Sequence, residues 1–314
     1  MSVVAIDLGG TKVAGARISS SGEIQARRHA LLGGRRGDQV AALVVEQCQS
    51  LAAGAHSGPY AVGVTVPGIY RAGRGTVWAP NIPAWEDYPL RDELQRALGN
   101  DARIVIDSDR AAYILGETWR GAAAGARDAI FLAVGTGIGA GILVDGRVLR
   151  GHADIAGAIG WMALDRPYVD RYTNCGCFEG NASGPGLATV ARLGLDAAQG
   201  YRGALRSIAP NDLTAEDIFA AVDARDDLAA RVVGNAVELW GMAAANLVSL
   251  FNPETVVFGG GVFGPAVRYL DRIRNEAARW AQPIAMQQVR FVASTLGGDA
   301  GLYGAARLAL EAVG

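Results

Sequence analysis

Val3-Val4-Ala5-Ile6-Asp7-Leu8-Gly9-Gly10-Thr11-Lys12 is an apolar, strand-like run that ends in a glycine turn. A second stretch repeats the pattern: Phe131-Leu132-Ala133-Val134-Gly135-Thr136-Gly137-Ile138-Gly139. Glycine has no Cβ, so backbone N–H groups at such a turn can approach an anion closely. Successive N–H groups form a concave anion site. Two such turns, about 125 residues apart and each followed by more strand-like sequence, point to a nucleotide's phosphates held between two lobes. Lys12 sharpens the first turn, because it is the only lysine among 29 basic residues. Where every other basic site is arginine, a retained lysine indicates a compact ammonium rather than a planar fork, chance retention being the other reading.

With 314 residues, 50% hydrophobic and 19% charged, the chain can bury one large core or two smaller ones. The net charge of −2 and the lack of a basic cluster argue against nucleic acid and membrane surfaces as partners. No apolar run reaches the roughly 18 residues of a spanning helix. The chain enters a strand directly, without the pattern of a signal peptide. Three cysteines, an odd count, do not make a disulfide framework. The expectation is a cytoplasmic protein with reduced thiols.

Strand and helix patterns alternate. Val3–Leu8 and Lys12–Ile18 read as paired strands, with Glu23–His29 returning after a serine-glycine turn. Gln39–Gly54 carries apolar residues at helical spacing. Tyr60–Val66 and Ala102–Ile106 are strands, Trp85–Leu98 contains a short helix, and Ala111–Arg120 is a helix. Ala129–Val134 and Ala140–Val144 form a second hairpin, continued by Arg147–Leu149. Leu213–Val222 and Leu228–Leu250 are helices, Thr255–Phe258 and Arg290–Ala293 strands, and Ala300–Ala312 a final helix. This alternation is an α/β architecture. An N-terminal lobe of residues 1–110, with a C-terminal helix at about 299–314 packed on it, is expected beside a larger lobe of residues 111–298.

The order of motifs resembles the actin-like (ribonuclease H-like) ATPase fold, two lobes with a central cleft. More narrowly, the chain is similar to the ROK family of bacterial sugar kinases, repressors and related proteins. The resemblance covers the whole length. It rests on Ala5-Ile6-Asp7-Leu8-Gly9-Gly10-Thr11-Lys12, Val66-Pro67-Gly68, Pro80-Asn81-Ile82-Pro83-Ala84-Trp85, and Ser108-Asp109 before Leu115-Gly116-Glu117. It continues through Gly135–Gly141, Arg150-Gly151, Gly157-Ala158-Ile159-Gly160, Gly176-Cys177-Phe178-Glu179 and Ser183-Gly184. The family's repressors carry an N-terminal helix-turn-helix; with Met1 directly before the first strand, none is expected here.

The resemblance implies roles. Asp109 is the general base that accepts the proton of the attacking sugar hydroxyl; its other reading is a helix N-cap. Asp7 positions Mg²⁺, directly or through water. Gly9, Gly10, Thr11 and Lys12 face the ATP phosphates from one lobe, and Gly135, Thr136 and Gly137 from the other. Gly259, Gly260 and Gly261 approach the adenosine. Ordinary turns are the alternative for all these glycines. Gly68, Asn81, Ser108, Trp161 and Glu179 are expected at the sugar. So is Asp107, which lies on the same face as Asp109 if the segment is extended. Such a pair would raise one carboxyl's pKa or take a cationic substrate group; Asp107 pairing with an arginine is the plainer reading.

Three departures from the family pattern are informative. Ala158 and Trp161 stand where most members have a sugar-binding Glu and a His that contacts sugar and ligates zinc, and Ser108 replaces an Asn. The family's Cys-x-Cys-Gly-x-x-Gly-Cys becomes Asp170-Arg171-Tyr172-Thr173-Asn174-Cys175-Gly176-Cys177, keeping only Cys177 of the zinc ligands. Two thiols without a nearby histidine do not close a tetrahedral site, so no structural zinc is expected. His29, His56 and His152 lie elsewhere. The implied protein is an ATP- and Mg²⁺-dependent kinase acting on the C6 hydroxyl of a hexose or amino-hexose, glucose or a kanosamine-like sugar, and a homodimer. A non-catalytic sugar-binding regulator is the second reading, and polyphosphate the alternative donor.

Overall fold

Unbroken apolar runs at the two ends of a βα alternation call for sheets covered on both faces. The computed structural model has that architecture and describes residues 1–53, 60–198 and 200–313. Gly54, expected to end a helix, and His56 lie outside them. The first elements are β1 (Ser2–Leu8), β2 (Lys12–Ser19), β3 (Ile24–Leu31), α1 (Asp38–Ala52), β4 (Tyr60–Val66), β5 (Ile69–Arg71), β6 (Thr76–Trp78), α2 (Leu90–Leu98), β7 (Ala102–Ser108) and α3 (Asp109–Arg120). Then come β8 (Ala129–Val134), β9 (Ile138–Val144), β10 (Arg147–Val148), α4 (Cys177–Ala182), α5 (Gly184–Ala197), α6 (Ala215–Asp223) and α7 (Asp227–Phe251). Last are β11 (Thr255–Gly259), α8 (Leu270–Trp280), α9 (Pro283–Gln288), β12 (Arg290–Ala293) and α10 (Ala300–Glu311). The strands form sheets of order β3-β2-β1-β4-β7 and β10-β9-β8-β11-β12, with β5 and β6 a small pair.

The chain divides into two compact units, one of Met1–Arg127, Gly141–Ala156 and Thr295–Gly314, the other of Asp128–Ala140 and Gly157–Ser294. The first unit therefore takes in α3, with which the sequence reading opened the second lobe. The reason is packing. A Cβ on Gly116 of α3 would lie 2.5 Å from the Ala300 carbonyl of α10, and one on Gly304 would lie 2.0 Å from the Ala112 carbonyl. Small residues on both helices let the backbones touch.

Alternation along β1 splits its side chains between two cores. Val4, Ile6 and Leu8 pack with Val40 and Val44 of α1 and Leu94 of α2. Val3 and Ala5 pack with Leu302, Ala305 and Ala306 of α10. In the second unit α7 is buried along most of its length. The Trp240 indole there donates to the Ala182 carbonyl at 3.1 Å.

Candidate active site

Three parallel strands bring three polar side chains into one row. The β1–β4 register sets Asp7 opposite Thr65, and the β4–β7 register sets Thr65 opposite Asp107. The row lies at the C-terminal strand ends, where α/β folds hold their ligands. Thr65 Oγ1 donates to Asp7 Oδ1 at 2.7 Å. Burial raises the Asp7 carboxyl, against the opposing pull of the Thr65 bond and the Lys12 ammonium. The first turn of α10 closes on the same group: a Cβ on Gly301 would lie 2.4 Å from Asp7 Oδ2, so only glycine fits there.

Asp109 is the first residue of α3, and it is not the cap. Ser108 holds that position in extended conformation, and its Oγ accepts from the Ala111 N–H. Asp109 Oδ1 accepts locally from the Arg110 N–H at 2.7 Å. Burial, with the Asp7 charge adding to it, pushes its carboxyl up to about 7 against the Arg110 guanidinium. Burial raises the Tyr113 phenol, and the same two carboxylates add to it. The N-cap reading of Asp109 therefore falls to Ser108, whose hydroxyl oxygen, expected at the sugar, is engaged in capping α3.

Asp107 pairs with an arginine, the plainer of its two readings. Its side chain is buried, and both Nε and Nη2 of Arg150 donate to its Oδ2, at 3.0 and 2.6 Å. Its Oδ1 accepts from the Ser108 N–H. The carboxylate expected to be open to a substrate ammonium already has its cation.

The first glycine turn is tight, with the Gly9 N–H donating to the Lys12 carbonyl at 2.9 Å. Thr11 and Lys12 are exposed on it. A Cβ on Gly10 would meet the Asn81 Cβ at 3.1 Å, so the expected sugar residue Asn81 packs on the turn. Gly68 sits against the Trp78 carbonyl, 2.1 Å from where a Cβ would be. These residues, with Asp7, Asp107, Ser108 and Asp109, all belong to the first unit.

The second unit gathers the others. The Gly135 N–H donates to the Gly137 carbonyl at 2.9 Å, and the Gly135 carbonyl accepts from the Gly184 N–H. Glu179 packs under the turn, its Oε2 accepting from the Ile138 N–H at 2.6 Å. A Cβ on Gly137 would lie 2.9 Å from that oxygen. Burial raises the Glu179 carboxyl, and its Oε1 has no donor among the described residues. Of the three consecutive glycines, Gly259 abuts the Phe131 ring and Gly260, at φ +91°, abuts the Val134 carbonyl. Gly261 alone faces open space, its nitrogen 3.8 Å from a Cβ built on Gly135. Trp161, expected at the sugar, belongs to this unit and is 58% exposed.

Among the described residues no three His, Cys, Asp or Glu side chains converge as a metal cage. The first unit nonetheless suits Mg²⁺. Asp7 Oδ2 takes no protein hydrogen bond among the described residues, and Mg²⁺ binds through one or two carboxylates while phosphates and waters supply the rest. Zinc fits poorly. The Cys175 thiol points at the Arg171 and Gly176 carbonyls, and Cys177 at that of Asp165. Burial raises the Cys175 thiol.

Thr65, Tyr113, Arg150 and Gly301 are the site residues that sequence reasoning missed. Thr65 carried a signal, as the polar residue within the apolar strand before Pro67-Gly68. Arg150 had one too, in the quoted Arg150-Gly151 motif, but nothing tied it to Asp107.

A model of the ROK family matches residues 3–312. The chain is 32% identical over 309 residues to the glucokinase of Halalkalibacterium halodurans, covering 96% of this chain and 92% of that one. It is similar to the solved ROK hexokinase from Thermus thermophilus, with a TM-score of 0.81, 30% identity, and coverage of 100% of this chain and 99% of the other. It is similar also to a ROK family glucokinase from Streptomyces griseus in complex with glucose and AMPPNP. There the TM-score is 0.78 and the identity 27%, over 99% of this chain and 100% of that one.

Proposed function

The chain belongs to the ROK family and has its actin-like ATPase fold, and from that premise we propose that it is an ATP-dependent kinase of the C6 hydroxyl of a neutral hexose such as glucose. The observation that carries the reading is Asp109: a carboxylate freed from capping by Ser108 and raised to about 7 beside Asp7. A base poised near the working pH accepts a proton with the best balance of ionisation and driving force. As the hydroxyl oxygen bonds to the γ-phosphorus, its proton passes to Asp109 and ADP departs with the electrons of the broken P–O bond. The first glycine turn orients phosphates with backbone N–H groups, and Lys12 adds a compact positive charge. Asp7 is the residue to hold Mg²⁺, which when bound neutralises phosphate charge. Retention of Asp7, Lys12 and Asp109 favours chemistry over a purely regulatory sugar-binding role.

The pairing of Asp107 with Arg150 supports a neutral acceptor over an amino-hexose, since no uncompensated carboxylate is left there for an ammonium. The same reading takes the protein as a cytoplasmic homodimer, without a nucleic-acid or membrane partner; no helix among the described residues is long and apolar enough to cross a membrane. The deciding experiment is a coupled ADP-release assay with ATP or polyphosphate over glucose, mannose, glucosamine and kanosamine. Glucose is expected to give the highest kcat/KM, and Asp107→Asn to leave the glucose-to-glucosamine ratio unchanged. A better amino-hexose whose advantage vanishes in Asp107→Asn rejects the neutral acceptor. No sugar-dependent ADP release rejects the kinase.

A further inference from the structure

The segment 170–176 precedes α4, which carries Glu179, and in this chain side chains fasten it. The Arg171 guanidinium bridges two points of α4: Nη1 donates to the Gly180 carbonyl at 2.8 Å and Nη2 to Asn181 Oδ1 at 2.6 Å. Nη2 also reaches the Tyr172 hydroxyl at 3.2 Å, and the guanidinium carbon lies 4.7 Å from the Tyr172 ring centre. Asn181 closes the circuit, its Nδ2 donating to the Tyr172 hydroxyl at 3.0 Å and to the Cys177 carbonyl at 2.9 Å. Tyr172 and Asn181 are each 3% exposed. Tyr168 extends the lock, packing edge-on against Tyr172 and sharing a hydrogen bond with Thr173.

The resemblance gives this same segment to a zinc ion. Here the two lost cysteine positions are Asp170 and Tyr172, on either side of Arg171, the histidine position is the exposed Trp161, and both remaining thiols face backbone carbonyls. We propose that Arg171 is a positioning residue that replaces a metal: its planar fork fixes Asp170–Thr173 to α4 and thereby holds Glu179 under the second glycine turn. The inference deepens the sugar-kinase reading and rests on it. Geometry favours arginine, because the two acceptors lie on adjacent residues and a fork meets both at once, whereas an ammonium is a point donor. The link to the site is short. Gly180 and Asn181 directly follow Glu179, whose carboxylate receives the Ile138 N–H beside Gly137.

The test compares the full-length protein with Arg171→Ala and Arg171→Lys, so that a conservative variant remains if the alanine form does not fold. Hydrogen exchange of the amides of residues 170–183 is expected to quicken about tenfold or more in both variants, with β1 and β4 amides unchanged. The KM for glucose should rise about tenfold while that for ATP stays within twofold, a split that general destabilisation does not give. Elemental analysis of the wild type, as purified and after dialysis against zinc, should find less than about 0.1 zinc per chain. One tightly held zinc per chain, or unchanged exchange in both variants, overturns the lock. Faster exchange with both KM values unmoved overturns the positioning role. If wild type phosphorylates no hexose, the kinase reading fails by itself, and the exchange and zinc results still decide for or against Arg171.

Discussion

Asp109 owes its character to its neighbours, Ser108 before it and Arg110 after it. Ser108 takes the cap, Arg110 supplies the local N–H, and burial beside Asp7 does the rest. Asp109→Asn removes the proton acceptor and leaves the cap in place. Turnover should fall about 10²–10⁴-fold in a protein of unchanged circular dichroism, and near-normal turnover would reject the assignment. In the wild type, kcat/KM should climb with pH through a limb near 7, as the base ionises. Stability should run the other way. The unfolded carboxylate titrates near 4 and the folded one at about 7, so stability is full below about 4 and declines as pH rises to 7. Asparagine escapes that decline. The melting temperature of Asp109→Asn should exceed the wild type's by at least about 2 °C at pH 8, the gap shrinking towards pH 4. Lys12→Arg exchanges a point charge for a wide fork, and should raise the KM for ATP more than that for sugar; identical ATP kinetics would reduce Lys12 to a strand-end charge. At this scale the sequence revealed identities better than partners. Asp109 and Asp107 both stood out, but capping depends on which residue is last outside the helix. The cation for Asp107 comes from 43 positions further along the chain.

Elements were most legible where burial is two-sided. β1, β4, β8 and β11 are near-continuous apolar runs, and such runs have few alternatives to a covered strand. The helices α5 and α8 were not. The former opens on Gly184-Pro185-Gly186, which reads as a turn until Ser183 is seen capping it. The latter buries only Ile273 and Ala277 and is otherwise half-buried or exposed. α2 begins at Leu90 because Trp85 and Tyr88 serve elsewhere, stacked on each other at 4.7 Å, with Tyr88 bridged to Val77. The contact of α3 with α10 makes a paired prediction at this scale. Gly304→Ala puts a Cβ 2.0 Å from the Ala112 carbonyl, and overpacking of this kind costs about 1–3 kcal/mol. Gly234→Ala, in α7 with nothing within 4 Å of its Cβ, should stabilise by about 0.5–1 kcal/mol. Thermal melts of the two variants should therefore move in opposite directions.

At the scale of the molecule, the alternation of strands and helices and the two glycine turns announced an α/β fold with a repeated opening. The way the chain is shared out was harder to read. It passes between the two units at 127/128, 140/141, 156/157 and 294/295, and periodicity within a segment cannot say which distant segment will cover it. α10 is the clearest case, because Leu302, Ala305, Ala306 and Ala309 complete a core begun by Val3, Ala5 and Ala61. That has a consequence for biosynthesis. Roughly 190 residues separate Ser108 from Ala300, or about 10–40 s of synthesis at 5–20 residues/s. For that interval the nascent first unit has one face of its sheet bare and must be shielded or wait. A chain stalled at residue 298 should lose the first unit to protease. The same chain given a peptide of residues 299–313 should be protected if α10 is the missing piece, and equal protection of both would show that the sheet matures without it.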